Sequence, residues 1–381
     1  MTDRAPSATP TPPRQRDLVL DFWRGVSVLM VLLQHVVYYR FPVFRTFLEL
    51  PQDHAAPLSR MLFIGDRLLV AAAYHSGEWG VKFFFVISGY IITKLMLEEE
   101  SRDGTMSAKH FYVRRIFRIL PAYFTYLAFL WVAEVAGWAS GRVGQLPYAA
   151  ALLCNTSVVH CGWNIAHTWT LAIEEQFYVL WPAVYLLSGQ RYRVPVVIGL
   201  IAVLAACSST GVLVTDQWMD NALSFVCIMT GALYALSARF RGVVQRRGVP
   251  LTLAGLGAVL LISRVPGRSS LAHLLFKEST PFVILVCIIT TYDFAWLRRT
   301  RPFISIAKFG LISYSLYIWQ QLFTNTAGSY RAGSPLLYAP LMLVCATASY
   351  VYIEKPAIRF GKSLLRRAPR TRGAAVTEPV T

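Results

Sequence analysis

What most constrains this chain is its repetition of long apolar stretches. About ten runs of roughly 15 to 20 residues fall at 22–39, 80–97, 119–138, 168–187, 194–213, 222–238, 249–263, 277–293, 304–325 and 335–354. A helix on a soluble domain needs only one apolar stripe. Runs of this length suit a hydrocarbon layer about 30 Å thick, where backbone polar groups must pair internally. The expected fold is therefore all-α: a polytopic integral membrane bundle of about ten transmembrane helices. Composition agrees, with 55% hydrophobic and 15% charged residues, against about 25% charged in soluble proteins. A further short apolar run, 145–154, is too short to cross and suits an interfacial segment.

The formal charge of +17 would suggest nucleic acid in a soluble protein. Here the cations cluster in alternate connections: Arg102, Lys109, Arg114, Arg115 and Arg118; Arg191 and Arg193; Arg239, Arg241, Arg246 and Arg247; Arg298, Arg299 and Arg301. That is the pattern of cytoplasmic loops, and it puts both basic termini on the cytoplasmic side of a multi-pass cell membrane, expected to be a bacterial plasma membrane. Nucleic acid is not an expected partner; membrane lipids and an anionic cosubstrate are.

Residues 1–19 are Pro- and Arg-rich and read as a disordered tail without the apolar core of a signal peptide. Residues 20–358 form the membrane domain, and 359–381 read as a second basic, largely disordered tail. Cys207, Cys227, Cys287 and Cys345 lie in apolar runs as small core residues. Cys154 and Cys161 share one outside loop, which leaves a disulfide open; no spacing resembles a metal site.

His35 is an ionisable ring inside the first apolar run, and such groups mark function in membranes. It follows Arg24 by eleven positions, about 20° from eclipse and about 16 Å further along the helix. Arg24 would sit near the cytoplasmic interface and His35 far deeper, which suits a cosubstrate with a charged head and a long thin arm. Asp21, three residues before Arg24, is placed to orient it. In Phe83–Tyr90 the Ser88-Gly89 pair favours close helix packing; Ser88 has no nucleophile elbow around it. Arg114 and Arg118 lie one helical turn apart and can face one anion. His167 to Tyr178 places a His, Glu174, Glu175 and Gln176 at the head of a span, and a carboxylate there is a candidate partner for the His35 imidazole. Ser313 to Gln321 gives a polar stripe late in the chain, and Tyr352, Glu354, Lys355 and Pro356 close the last run. Metalloprotease, ATPase and dinucleotide fingerprints are absent.

At these residues the chain resembles the membrane-bound acyltransferase-3 family of O-acyltransferases. The resemblance rests on Arg24-x10-His35 with Leu20–Gly25, on Phe84–Tyr90, Arg114–Pro121, Trp169–Tyr178, Ser313–Tyr317 and Tyr352–Pro356, in that order over residues 20–358. It implies transfer of an acyl group, acetyl first, from acyl-CoA to a hydroxyl of a sugar or glycosylated acceptor, with no permanently bound cofactor. His35 would match the family's essential histidine and Arg24 its partner. Arg114, Arg115 and Arg118 would match the basic motif that meets CoA phosphates, and Glu174 the better preserved carboxylate. Ser88, Tyr90 and Trp169 are candidates for steadying the oxyanion, and Glu175, Tyr314, Tyr317 and Gln320 for lining the site. The family's late motif often ends in His where this chain has Gln320, which cannot act as a base.

The working mechanism is direct transfer with His35 as base; in a variant His35 itself carries the acyl group. The rival classes are a transporter or flippase for a glycolipid or anion, which predicts no acyl-CoA turnover, and an assembly protein, in which His35 would be replaceable. The outside loops 40–79 and 139–167, with His54, Asp66, Glu78 and Trp163, name no particular acceptor. A homodimer is compatible with the sequence but no motif specifies it.

Overall fold

The computed structural model describes residues 16–40, 57–137, 143–156, 161–210, 216–265, 269–324 and 335–367. Those residues are helical throughout, with short turns between. The long helices are α1 (Leu18–Arg40), α2 (Pro57–Asp103) and α3 (Ala108–Val135). Two short helices follow, α4 (Leu146–Ala150) and α5 (Trp163–Ala166). Then come α6 (Thr168–Leu187), α7 (Gly189–Thr210), α8 (Asp216–Leu236) and α9 (Ala238–Ser263). The chain finishes with α10 (Ser269–Thr290), α11 (Arg301–Thr324), α12 (Pro335–Ser349), a π-helical turn (Tyr350–Glu354) and α13 (Lys355–Arg367).

Among the described residues, 7 helical stretches are long and apolar enough to cross a membrane. Helices α6 and α11 are not among them, because their interior faces carry Glu174, Glu175 and Gln176, and Ser313, Ser315, Gln320 and Gln321. The bundle is apolar on its outside as well: Val203 of α7 and Leu253, Leu260 and Leu261 of α9 are all exposed. Such a surface belongs against lipid rather than water.

Helix α1 lies between α2 and α11 and packs on both. The α1–α11 approach is set by reciprocal glycines. A side chain at Gly25 would meet the Ile306 carbonyl, and one at Gly310 the Asp21 carbonyl. Gly89 of α2 and Gly231 of α8 face the Ile228 and Val86 carbonyls in the same way, so Gly89 is the close-packing residue its small neighbour suggested. Large rings fill the interior, with Tyr123, Tyr126, Trp181, Tyr185, Phe85 and Phe177 fully enclosed.

Two features depart from the sequence reading, and one that it left open is resolved. Helix α2 starts at Pro57, so much of the expected outside loop 40–79 is helical; Pro57 stands at the first helical position, where its missing N–H costs nothing. His54 lies outside the described residues, as does the side chain of Asp66. The last helical stretch runs on to Arg367, past residue 359 where a disordered tail was expected. Cys154 and Cys161 do pair, with Cα atoms 5.7 Å apart. The bonded loop is docked by Asn155 and Gln176, whose amides exchange hydrogen bonds of 2.9 and 3.1 Å.

The ends of α2, α6 and α7 are joined by a part-buried ion pair. Arg193 donates to both Glu100 oxygens at 2.6 and 2.9 Å and to the Tyr185 carbonyl at 3.0 Å. Tyr185 donates its hydroxyl to Glu100 at 2.6 Å, and the guanidinium lies 3.6 Å above the Tyr185 ring.

Candidate active site

Helix α1 is fixed at its start by Asp17, whose carboxylate accepts from the Val19 and Leu20 amides at 3.2 and 3.3 Å and from the Tyr292 hydroxyl at 2.7 Å. This is an N-cap. Asp21 pairs with Arg16 at 3.2 Å. Trp23 anchors the same turn, donating to Thr291 at 3.0 Å and stacking on Phe83 at 4.5 Å. The next residue, Arg24, faces a cavity enclosed by α1, α2, α3, α6 and α11.

Arg115 and Arg118 line that cavity with Arg24. Arg115 lies 5.2 Å from the Tyr178 ring and 5.9 Å from the Phe111 ring. Glu174 is the carboxylate among these lining residues. One of its oxygens accepts from Ser88 at 2.7 Å and the other from Tyr178 at 3.3 Å. Guanidiniums therefore outnumber carboxylates on the cavity wall, and a polyanion is the complementary guest. Glu354 lies outside the wall, turned inward by the π-helical turn. It accepts from Ser315 at 3.1 Å and is close enough to Arg118 and Arg24 to attract both.

Arg114 is placed elsewhere. It is ion-paired with Glu99 of α2, which also accepts from the Ser107 amide at 3.2 Å. Arg115 and Arg118 line the cavity, and Arg114 is held by a carboxylate of the neighbouring helix.

The far wall is built by α11 and α6. Tyr314 donates to the Ile119 carbonyl at 2.8 Å. The Tyr317 hydroxyl lies 2.7 Å from Thr170 Oγ1 and donates to the His167 carbonyl at 3.1 Å. His167 is a buried framework residue: its Nε2 donates to the Ile318 carbonyl at 3.0 Å, and its amide donates to Gln321 at 2.9 Å.

One turn further along α11, Gln320 meets His35. The amide oxygen lies 2.6 Å from His35 Nδ1; an amide oxygen only accepts, so Nδ1 carries the proton in this pair. The Trp163 and His35 rings form a T-shaped pair with centroids 5.4 Å apart, and Trp163 donates to the Gln321 carbonyl at 3.0 Å. Adjacent glutamines thus do separate jobs: Gln320 holds His35, and Gln321 holds the turn carrying Trp163 and His167. The structure gives His35 to Gln320, and Glu174 to Ser88 and Tyr178.

The remaining candidates divide by position. Trp169 packs edge-on against Phe85 at 6.3 Å. Tyr90 lies away from the cavity, against Tyr234 at 5.7 Å, with Lys94 above its ring. Glu175 keeps one carboxylate oxygen buried without a hydrogen bond. Thr170 and Tyr178 line the cavity in addition to the sequence candidates. Among the described residues no group of His, Cys, Asp and Glu is arranged to hold a metal ion.

Residues 17–354 match the family model described as an acyltransferase domain, acyltransferase-3. Among curated relatives, the peptidoglycan O-acetyltransferase OatA of Listeria monocytogenes is 25% identical over 344 residues, covering 77% of this chain and 54% of that protein. The O-acetyltransferase OatA of Staphylococcus aureus is 25% identical over 337 residues, covering 78% and 55%. The chain therefore spans about half the length of the curated relatives it matches. No solved structure matches. The ordered motifs and a family match from the cap of α1 to the π-helical turn lead to one conclusion: this all-α, membrane-type bundle belongs to the acyltransferase-3 family.

Proposed function

We propose that the protein is a membrane O-acyltransferase that moves an acyl group, acetyl first, from acyl-CoA to a hydroxyl of a sugar or glycosylated acceptor. The observation that carries this reading is the arrangement along α1. Arg24 faces a cavity rich in guanidinium groups, while His35, deeper on the same helix, is held by a neutral amide. The two relatives named as O-acetyltransferases support acetyl as the group, and one is named for a peptidoglycan acceptor.

In this reading Arg24, Arg115 and Arg118 receive the CoA phosphates, with Arg114 at the mouth beside Glu99. Glu174 and Glu354 keep the guanidiniums oriented. The thioester arm passes Tyr317 toward His35. Nε2 of His35 takes the proton of the acceptor hydroxyl as its oxygen attacks the thioester carbonyl carbon. The tetrahedral intermediate then expels the CoA thiolate, which recovers that proton from the imidazolium and leaves as CoA–SH. The chain crosses the membrane ten times with both ends on the cytoplasmic face, so CoA enters from the cytoplasm.

The test is thiol release from radiolabelled acetyl-CoA by purified protein, with pooled envelope glycans and glycosylated metabolites as acceptors. His35→Ala is expected to reduce acceptor-dependent release by about 10²–10⁴-fold, the usual worth of a general base. Equal release by both proteins would remove His35 as the base. No release from folded protein with any acyl-CoA would favour a transporter.

A further inference from the structure

Helix α13 follows the last apolar stretch and lies outside the cavity. Its sequence separates sharply by face. Lys355, Arg359, Lys362 and Arg366 recur at helical spacing and form one exposed stripe. Lys355 is shared with the Tyr350 ring at 4.6 Å. The other three have no ion pair among the described residues, and 355–367 contains no acidic residue.

The opposite side is apolar and only half used. Gly361 is buried against Phe117 of α3, and the Phe117 and Phe360 rings lie 5.4 Å apart. Yet Phe360 remains 55% exposed and Leu364 39% exposed. Antiparallel α11 and α12 return the chain to the end of the bundle where α11 begins. There Trp296 and Phe294 are also exposed, beside Arg298 and Arg299. Exposed aromatic rings next to cations are the composition of a membrane–water interface.

We propose that α13 is an anionic-phospholipid-binding helix. Arg359, Lys362 and Arg366 seat headgroup phosphates, while Phe360 and Leu364 enter the boundary of the acyl chains. A helix with one basic and one apolar face lies in this plane, and its cations are drawn to anionic lipid. This function is separate from the acyl-transfer reading and stands without it.

The test uses the full chain in neutral detergent, titrated with phosphatidylglycerol or phosphatidylcholine, with retained lipid counted by native mass spectrometry. Wild type is expected to retain phosphatidylglycerol at least about tenfold better, given roughly fivefold per cation near an anionic surface. The triple variant Arg359→Gln, Lys362→Gln, Arg366→Gln should lose that preference, while Arg298→Gln with Arg299→Gln should keep it. Phe360→Ser with Leu364→Ser should weaken retention with the charges intact, and it remains the decisive variant if the triple variant does not fold. No preference in wild type, a preference that survives the triple variant, or undiminished retention in the Phe360→Ser, Leu364→Ser variant would overturn the proposal. Displacement of phosphatidylglycerol by millimolar inorganic phosphate would also overturn it, since the site would then be one for free anions.

Discussion

At the scale of residues, one carboxylate on a neighbouring helix holds Arg114, while Arg115 and Arg118 line the cavity. Spacing alone allows Arg114 or Arg115 to join Arg118, since offsets of three and four both share a helix face. The choice is made by Glu99, which lies on another helix and has no local signature. Glu174 with Tyr178 could have been read from its spacing of four, but its bond to Ser88 spans 86 positions. Gln320 stood out only as a departure, and the fold places it against His35. Gln320→Leu should lower kcat about tenfold, the rate equivalent of one hydrogen bond of about 1.4 kcal/mol, with little change in KM for acetyl-CoA. Gln320→His should recover part of that loss; unchanged kcat in the leucine variant would release Gln320 from the role. Arg118→Ala should raise KM for acetyl-CoA about 10-fold or more, since a charge-assisted bond is worth about 1.5–3 kcal/mol. Arg114→Ala should raise it much less, and matched steady-state kinetics on the two variants decide between them.

At the scale of elements, the described residues of each of the ten long apolar runs fall mainly on a helix, because length and hydropathy are local properties. Boundaries were another matter. Helix α2 continues outward to Pro57, and the last stretch continues through a π-helical turn into α13. The Arg193–Glu100 pair explains how three helix ends stay together, and neither residue belongs to a motif. Removing one partner of this part-buried ion pair leaves hydrogen bonds to a charged group unmade, so Arg193→Ala should destabilise the fold by about 1–3 kcal/mol. Thermal unfolding followed by dye binding in detergent measures this, and an unchanged melting temperature would show the pair to be incidental.

At the scale of the whole molecule, the basic loops predict which side each connection faces. Cysteines placed at Arg298 and at Gln145, in a background lacking the four unpaired cysteines, should react oppositely with an impermeant thiol reagent on intact cells: Gln145→Cys labelled, Arg298→Cys labelled only after lysis. The same side for both would overturn the ten-crossing arrangement. Helices α6 and α11 carry polar groups inward because neighbouring helices enclose them. One consequence follows from the central position of α1, clasped between α2 and α11. Arg24 and His35 ride on one unbroken rod, so the interval between them is about 16 Å and does not adjust to the guest. In the proposed reaction α1 would work as a ruler, selecting a donor by the length of its arm before the nature of its acyl group is read.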